Sequence, residues 1–386
     1  MKHILFIVNG YPTKQDPIYA FIRPIVCEVA DKGIKCTVIA PQSYTKILFG
    51  KGHCRKEHWI DVTEKGSNID IIQPFFLSLS KKTIGDYHIS SEMATKSIKH
   101  AIKKYSIQPD LIYAHFWDCG IMAAKAIQGN VPVVVASGES RIRVKEGFSA
   151  NDIAKWRNSI NGVICVSQKN LRESKELGLI SEESEVIVLP NGVNKDEFYR
   201  IDKCKARSYL GFNDGETIAI FVGAFSERKG VLRLVEAAKS IPSLKLILIG
   251  SGPQEPVSSQ VIFKGRVPHD EIVRYLNAAD MFVLPTQAEG CCNAIVEALS
   301  CGLPVISSDL DFNKDICNST NSILVNPMDI NEIANAMKAI KENPNVAKEL
   351  SDGAIKESEK LQINNRIDRM IDFFELVYQK RTRKGI

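Results

Sequence analysis

The sequence predicts an α/β protein made of two doubly wound, Rossmann-like domains, and three observations predict it. The chain has 386 residues, too many for one ordinary core and about right for two. Short runs rich in Val, Ile and Leu recur along both halves, as in parallel strands buried on both faces. Stretches of helical period separate them, and the alternation stops and restarts once, at Pro190-Asn191-Gly192. Two successive βα series imply two sheets facing each other across a cleft. In such sheets ligands sit beyond the carboxyl ends of the strands, where loops meet helix N-termini.

In the first half the expected strands are His3–Asn9, Lys35–Ala40, Ile69–Pro74, Asp110–His115, Pro132–Ala136, Gly162–Ser167 and Glu185–Leu189. Ile22–Asp31 and Ser91–Tyr105 are expected helices between them. Pro190-Asn191-Gly192 is turn chemistry, and a polar stretch follows to about Lys205. The rhythm then restarts with Thr217–Val222, Lys245–Ile249, Val261–Lys264, Met281–Pro285, Pro304–Ser307 and Ser322–Val325. Over Arg366–Gln379, residues Ile367, Met370, Ile371, Phe374 and Val377 recur at helical spacing, so a C-terminal helix should pack back on the body. The expected domains are therefore 1–195 and 196–365, with the helix over 366–386.

Hydrophobic residues make up 44% and charged residues 25%, which excludes a disordered or fibrous chain. The apolar runs fall short of a membrane span, and Ile4–Val8 reads as a first strand rather than an export signal. A cytoplasmic protein with reduced thiols is expected. The ten cysteines form no C-x-x-C pair, and the close pair Cys291 and Cys292 is adjacent, so buried free thiols and no metal site are expected. The net charge of +5 is uneven: residues 1–190 carry +6 and the remainder −1. Lys96, Lys99, Lys103 and Lys104 gather on one expected helix. A solvated face accounts for any one of them; together they suit an anionic acceptor or acidic lipid headgroups, hence peripheral contact at the inner face of the membrane. No nucleic-acid partner is expected.

The chemistry concentrates in residues 281–307. A strand leads into a Gly-containing loop holding Glu289, and then into a helix from about Asn293 to Ser300 holding Glu297, stopped by Gly302 and Pro304. The N–H groups of Gly290, Cys291, Cys292 and Asn293 would lie free at the positive end of the helix dipole, an anion site suited to a diphosphate. The two carboxylates would accept from vicinal hydroxyls. The combination fits a sugar–diphosphate–nucleoside. Two glutamates eight positions apart, taken alone, are better read as complementing the positive end of the helix.

In this segment Ala279-Asp280, Pro285, Glu289-Gly290, Asn293, Glu297-Ala298, Cys301-Gly302 and Pro304-Val305 stand in one register. With them the chain resembles the family 4 glycosyltransferases, retaining enzymes of the GT-B fold that carry an E-x7-E motif. The likeness spans most of the chain and thins over residues 45–95. It implies that Glu289 approaches the transferred sugar and that Glu297 accepts from the ribose hydroxyls. It also implies a basic pair gripping the diphosphate from the loop Phe221–Gly230, which includes Gly223. Lys229 matches that pattern. Ala224 stands where an arginine is usual, which leaves Arg228 as its replacement, with a solvated arginine as the alternative. Pro190-Asn191-Gly192-Val193 with Phe198 resembles the family's hinge linker, and Gly250-Ser251-Gly252-Pro253 its glycine turn. Arg266 is implied near the nucleoside base. In the first half, Asp110–His115 resembles the strand leading to the acceptor, with His115 as the contact; a buried, hydrogen-bonded histidine is equally compatible. Ser137-Gly138-Glu139 replaces the frequent His-Gly, and Tyr11-Pro12 through Phe21 resembles a loop over the acceptor, with Ala20 in place of glycine.

What the resemblance implies is a retaining, metal-independent hexosyltransferase. Its nucleotide-sugar donor is a substrate rather than a cofactor. Its acceptor is a glycan or a lipid-linked glycan, in cell-surface polysaccharide synthesis. Two alternatives on the same fold remain: a nucleotide-sugar 2-epimerase, which needs no acceptor, and a non-catalytic nucleotide-sugar-binding subunit. A nicotinamide-dependent oxidoreductase would carry G-x-G-x-x-G after its first strand, where this chain has Asn9-Gly10-Tyr11-Pro12.

Overall fold

A computed structural model describes residues 1–13, 16, 18–79, 83–84, 87–127 and 131–384. Residues 14, 15 and 17 of the expected acceptor loop lie outside the described residues. The chain forms two compact units, Met1–Leu189 with Ile367–Ile386, and Pro190–Arg366.

The first unit is built on eight strands: β1 (His3–Ile7), β2 (Lys35–Ile39), β3 (His58–Val62), β4 (Asn68–Ile72), β5 (Leu111–His115), β6 (Val133–Ser137), β7 (Ile160–Cys165) and β8 (Glu185–Val188). Their spatial order is β8-β7-β6-β5-β1-β2-β4-β3. All pair in parallel except β3, which runs antiparallel along β4 at the edge. Helices α1 (Ile22–Asp31), α2 (Ile89–Lys104) and α3 (Trp117–Ala126) pack on this sheet and bury their apolar faces. Every residue of β5 and β6 is buried, which is why both read as unbroken apolar runs. Sequence reading missed β3: its residues alternate between exposed and half-buried, so no apolar run marks it.

The second unit has six parallel strands: β9 (Thr217–Val222), β10 (Leu244–Ile249), β11 (Val261–Gly265), β12 (Met281–Leu284), β13 (Val305–Ser308) and β14 (Ser322–Val325). They are ordered β11-β10-β9-β12-β13-β14. Helices α4 (Val231–Ala238) and α5 (Asn293–Ser300) follow β9 and β12. Strand order therefore reverses between β9 and β12, and in the first unit between β1 and β5. These are the switch points where doubly wound sheets open a crevice. Each expected strand is present, its bounds moved by at most two residues.

The division falls at 189/190 rather than 195/196. Val193 N–H donates to Leu361 O (2.8 Å), Ile363 N–H donates to Val193 O (2.9 Å) and Arg366 Nε donates to Pro190 O (2.8 Å), so the Pro-Asn-Gly turn belongs to the second unit. The last helix, α6 (Ile363–Lys384), begins three residues earlier than expected. From Ile367 onward it packs on the first unit, burying Ile367, Met370, Phe373, Phe374 and Val377, with Ile371 half-buried. Gly162 on β7 makes room for it: a Cβ there would come within 2.9 Å of Val377. All ten cysteines are free thiols. The expectation that they are buried fails for Cys54 and Cys204, which lie exposed on a loop and a first helical turn. Among the described residues no helix is long and apolar enough to cross a membrane.

Candidate active site

The second unit's switch point is formed by the loop after β9, residues 223–230, and the loop after β12, residues 285–292. Glycines let these loops close on each other. Gly250 (φ +146°) lies so near that an added Cβ would sit 1.9 Å from Gly223 O, and one at Gly252 would sit 2.3 Å from Phe225 O. The Gly-Ser-Gly turn thus braces the first loop backbone against backbone. Gly230 (φ +80°) opens α4, and its missing side chain lets Pro285 O approach. Gln287 N–H then donates to Arg228 O at 2.8 Å.

Three groups meet at one carboxylate oxygen. Glu289 Oε1 lies 2.7 Å from Lys229 Nζ and 2.9 Å from Arg228 Nη1, and accepts from Thr286 Oγ1 at 2.8 Å. Glu289 and Lys229 are largely buried, whereas Arg228 is partly exposed. Arg228 also donates to Ala288 O at 2.5 Å. It is therefore not a freely solvated arginine. Burial alone would pull the Lys229 ammonium down, but the Glu289 carboxylate hydrogen-bonded to it counters this, and Lys229 is held above its usual value. It stays charged at neutral pH. Thr286 is fully buried and locked from behind: Ser308 Oγ donates to Thr286 O, and Asn313 Nδ2 donates to Ser308 O at 2.8 Å.

Beside this cluster α5 begins. Its cap residue, Cys292, gives no side-chain cap. Among the described residues no acceptor within the protein receives the N–H groups of Gly290, Cys291, Cys292, Asn293 or Ala294. They remain available to an anion, next to two cations. The Cys291 and Cys292 thiols are buried, which pushes both up, Cys291 to about 12, so neither places a negative charge there. Asn191 fixes the helix start: its Nδ2 donates to Cys291 O (3.0 Å) and Asn293 Oδ1 (2.7 Å). Further along α5, Glu297 Oε1 lies 3.6 Å from His269 Nε2, and Glu197 Oε2 lies 3.9 Å from His269 Nδ1. The Glu297 carboxylate beside it raises the imidazole above its ordinary value despite partial burial.

Residues 202–357, which contain both loops and α5, match the family model of the glycosyl transferases group 1. Over 86% of its length the chain is 27% identical to a glycosyltransferase assigned to teichuronic acid biosynthesis, TuaC of Bacillus subtilis (strain 168), covering 88% of that protein. The family match falls in the second unit, and with this relative it makes the chain a glycosyltransferase. A Streptococcus pneumoniae alpha-galactosylglucosyldiacylglycerol synthase is 23% identical over 64% of this chain and 70% of its own. Among solved structures, sucrose-phosphate synthase from Thermosynechococcus elongatus aligns over 98% of this chain and 100% of its own with a TM-score of 0.78 at 20% identity. HepE of Anabaena in complex with UDP aligns over 97% and 100% with a TM-score of 0.71 at 17% identity. The fold of this glycosyltransferase is GT-B, with two Rossmann-like domains.

Of the residues singled out in the sequence, Arg228, Lys229, Glu289 and the segment Gly290–Asn293 come together in the glycosyltransferase's second unit, and Gly223 opens the loop that carries the cations. Glu297 lies on the same helix. Arg266 is exposed, held by its Nε to Ser251 Oγ at 2.6 Å beside the glycine turn. Asp280, part of the motif register, is structural: it accepts from Arg207 Nη2 and from Ile218 N–H, each at 2.8 Å. His115 lies at the end of β5, in the first unit. It is buried and bonded through Nδ1 to Tyr113 Oη at 2.8 Å. Sequence reasoning missed Thr286, Asn191 and His269 as members of the site. Thr286 lies two residues past the motif strand and Asn191 sits in a quoted turn, so both were visible without their partners; nothing local marks His269. A recess of about 710 Å³ in this unit opens at the amino ends of the strands near Lys203, Asp280 and Asp352, away from these groups. We assign the chemistry to the carboxyl end, where charge and free donors converge.

Proposed function

We propose that this glycosyltransferase moves a hexose-type sugar, with retention of anomeric configuration and without a metal ion, from a nucleoside-diphosphate sugar to a glycan or lipid-linked acceptor in cell-surface polymer synthesis. The observation that carries the reading is the convergence of Lys229 and Arg228 on Glu289 beside the unpaired N–H groups of Gly290–Asn293. The diphosphate docks on those N–H groups and draws the two cations toward itself. Glu289, released from them, accepts from the sugar's hydroxyls, and Glu297 accepts from those of the ribose. The bond from the anomeric carbon to the diphosphate oxygen breaks, and its electron pair leaves with the diphosphate. The acceptor hydroxyl attacks the same face and passes its proton to the departing oxygen. Preplaced positive charge offsets the growing negative charge, the part a divalent ion plays elsewhere. His115, at the first unit's switch point, is the proposed acceptor contact, and Arg266 the contact near the base. The named solved relative that binds UDP supports a nucleoside-diphosphate donor, and the relatives named for teichuronic acid and glycolipid synthesis support the acceptor class.

Purified protein screened by thermal shift against UDP- and GDP-sugars should be stabilised by its donor through mass action. Lys229→Ala should lower turnover about 100-fold or more, whereas Glu297→Ala should chiefly weaken donor binding, about tenfold or more, equivalent to about 1.4 kcal/mol. Normal transfer by both variants would refute the site.

A further inference from the structure

Apart from the catalytic groups, the first unit carries a patch whose chemistry fits a different partner. Two loops leave the carboxyl ends of neighbouring parallel strands: residues 40–56 after β2 and 73–79 after β4. They are held together by Gln42 N–H donating to Pro74 O (2.9 Å), by a Ser43 Oγ to Ser78 Oγ hydrogen bond (2.6 Å) and by Ser78 N–H donating to Thr45 Oγ1 (3.0 Å). The polar bonds face inward and the apolar side chains face out. Leu48 is 65% exposed and Phe49 73%, at the tip of the first loop; Leu77 is 53% and Leu79 47% on the second. Tyr44 and Phe75, also exposed, join the two at a ring separation of 6.1 Å.

An exposed apolar cluster of this kind marks a contact surface. Its charge decides what it contacts. Residues 32–56 contain no Asp or Glu, and Lys46, Lys51 and Lys56 are exposed with no ion-pair partner among the described residues. Arg55 is not counted, since Asp16 neutralises it. Lysines are depleted from the cores of protein interfaces, whereas protruding leucine and phenylalanine ringed by lysine suit the headgroup and acyl boundary of an anionic bilayer. The patch also lies at the end of the sheet where a doubly wound domain receives its ligand.

We propose that this rim, formed by residues 44–56 and 75–79, docks the enzyme on an anionic lipid surface, so that a lipid-anchored acceptor enters the first unit from the membrane. The acceptor clause rests on the function proposed above; the docking does not.

The test is co-sedimentation of the full chain with phosphatidylcholine vesicles, with and without phosphatidylglycerol. Binding should need the anionic lipid and fall with added salt. Leu48→Ser with Phe49→Ser should weaken it by at least about tenfold, because the apolar area that would leave water is removed. Lys46→Gln with Lys51→Gln should weaken it by a similar factor, because two charges attracted by the anionic surface are removed. Melting temperature and donor-induced stabilisation should match the parent, since these side chains stand in solvent. Wild-type protein that ignores both vesicles, or variants that bind as it does, would overturn the proposal. So would a dimer in lipid-free buffer that the Leu48/Phe49 variant dissolves, because a second copy would then cover the patch. If no nucleotide sugar stabilises the protein while vesicle binding follows the pattern above, the function fails and the docking stands.

Discussion

Thr286 shows how one buried hydroxyl can control a charged site. Its Oγ1 donates to Glu289 from a buried position, whereas in the reaction we propose Lys229 and Arg228 turn toward the diphosphate. With those cations engaged elsewhere, Thr286 is what keeps Oε1 oriented. Thr286→Val keeps the shape and removes the donor, so kcat should fall about tenfold, equivalent to about 1.4 kcal/mol for a hydrogen bond to a charged group, with donor KM little changed. Thr286→Ser should restore most of it. Steady-state kinetics on the three proteins checks this; equal losses for Ser and Val would mean that packing, not the hydroxyl, matters. At the first unit's switch point Glu139 offers a second test. Burial dominates its environment and pushes its carboxyl up to about 7, against backbone and hydroxyl donors from Trp117 and Ser137 that favour the charged form. A raised acid pKa means the folded state keeps its proton longer than the unfolded chain. Stability is therefore lost as pH rises from the unfolded value of 4.5 through about 7. Glu139→Gln should flatten that decline, as read from melting temperatures across the window.

At the scale of elements, the site depends on loops held at contact distance by glycine. The turn Gly250–Gly252 leaves no space for a methyl group, because its neighbours are the carbonyls of Gly223 and Phe225 rather than adjustable side chains. Gly250→Ala adds a left-handed backbone conformation that alanine disfavours, at about 1–3 kcal/mol, to an overlap that only backbone movement relieves. We expect a total loss above about 3 kcal/mol, seen as a lower melting temperature, with weaker donor stabilisation because the Lys229 loop shifts with it. Helix α5 is positioned in the same spirit from outside itself. Asn191 holds its first residues, and Ser300 Oγ donates to Phe198 O at 2.7 Å near its end. The helix is short and apolar on its inner face, so its placement comes from these ties and from burial of Ile295, Val296, Ala298 and Leu299.

At the scale of the molecule, the last helix returns to complete a core begun at residue 3. Ile367, Met370, Phe374 and Val377 are fully buried on the first unit, each worth about 1.5–3 kcal/mol of transfer. That sum is comparable with the whole stability of a domain. A chain ending at Arg366 should therefore lose cooperative melting of its first unit, detectable by calorimetry and dye binding. Phe374→Ala in the full chain should lower the same transition by about 3–5 kcal/mol. Unchanged melting in both would show that the helix does not complete that core.

The alternation of apolar runs with helical stretches was enough to define two parallel α/β units. The register around Glu289 and Glu297 marked a candidate donor site only through its resemblance to a known motif, whereas buried parallel strands and helix starts leave local, periodic signatures. The edge strand β3 left none, since half of it faces solvent. The division at 189/190 depended on hydrogen bonds between segments some 170 residues apart. Tertiary structure alone decided that Arg228 reaches Glu289, that Thr286 anchors it, that His269 stands against Glu297, and that the loops after β2 and β4 merge their exposed apolar tips into one basic patch. Each of those facts is a meeting of side chains from separate loops, and distance along the chain carries no information about it.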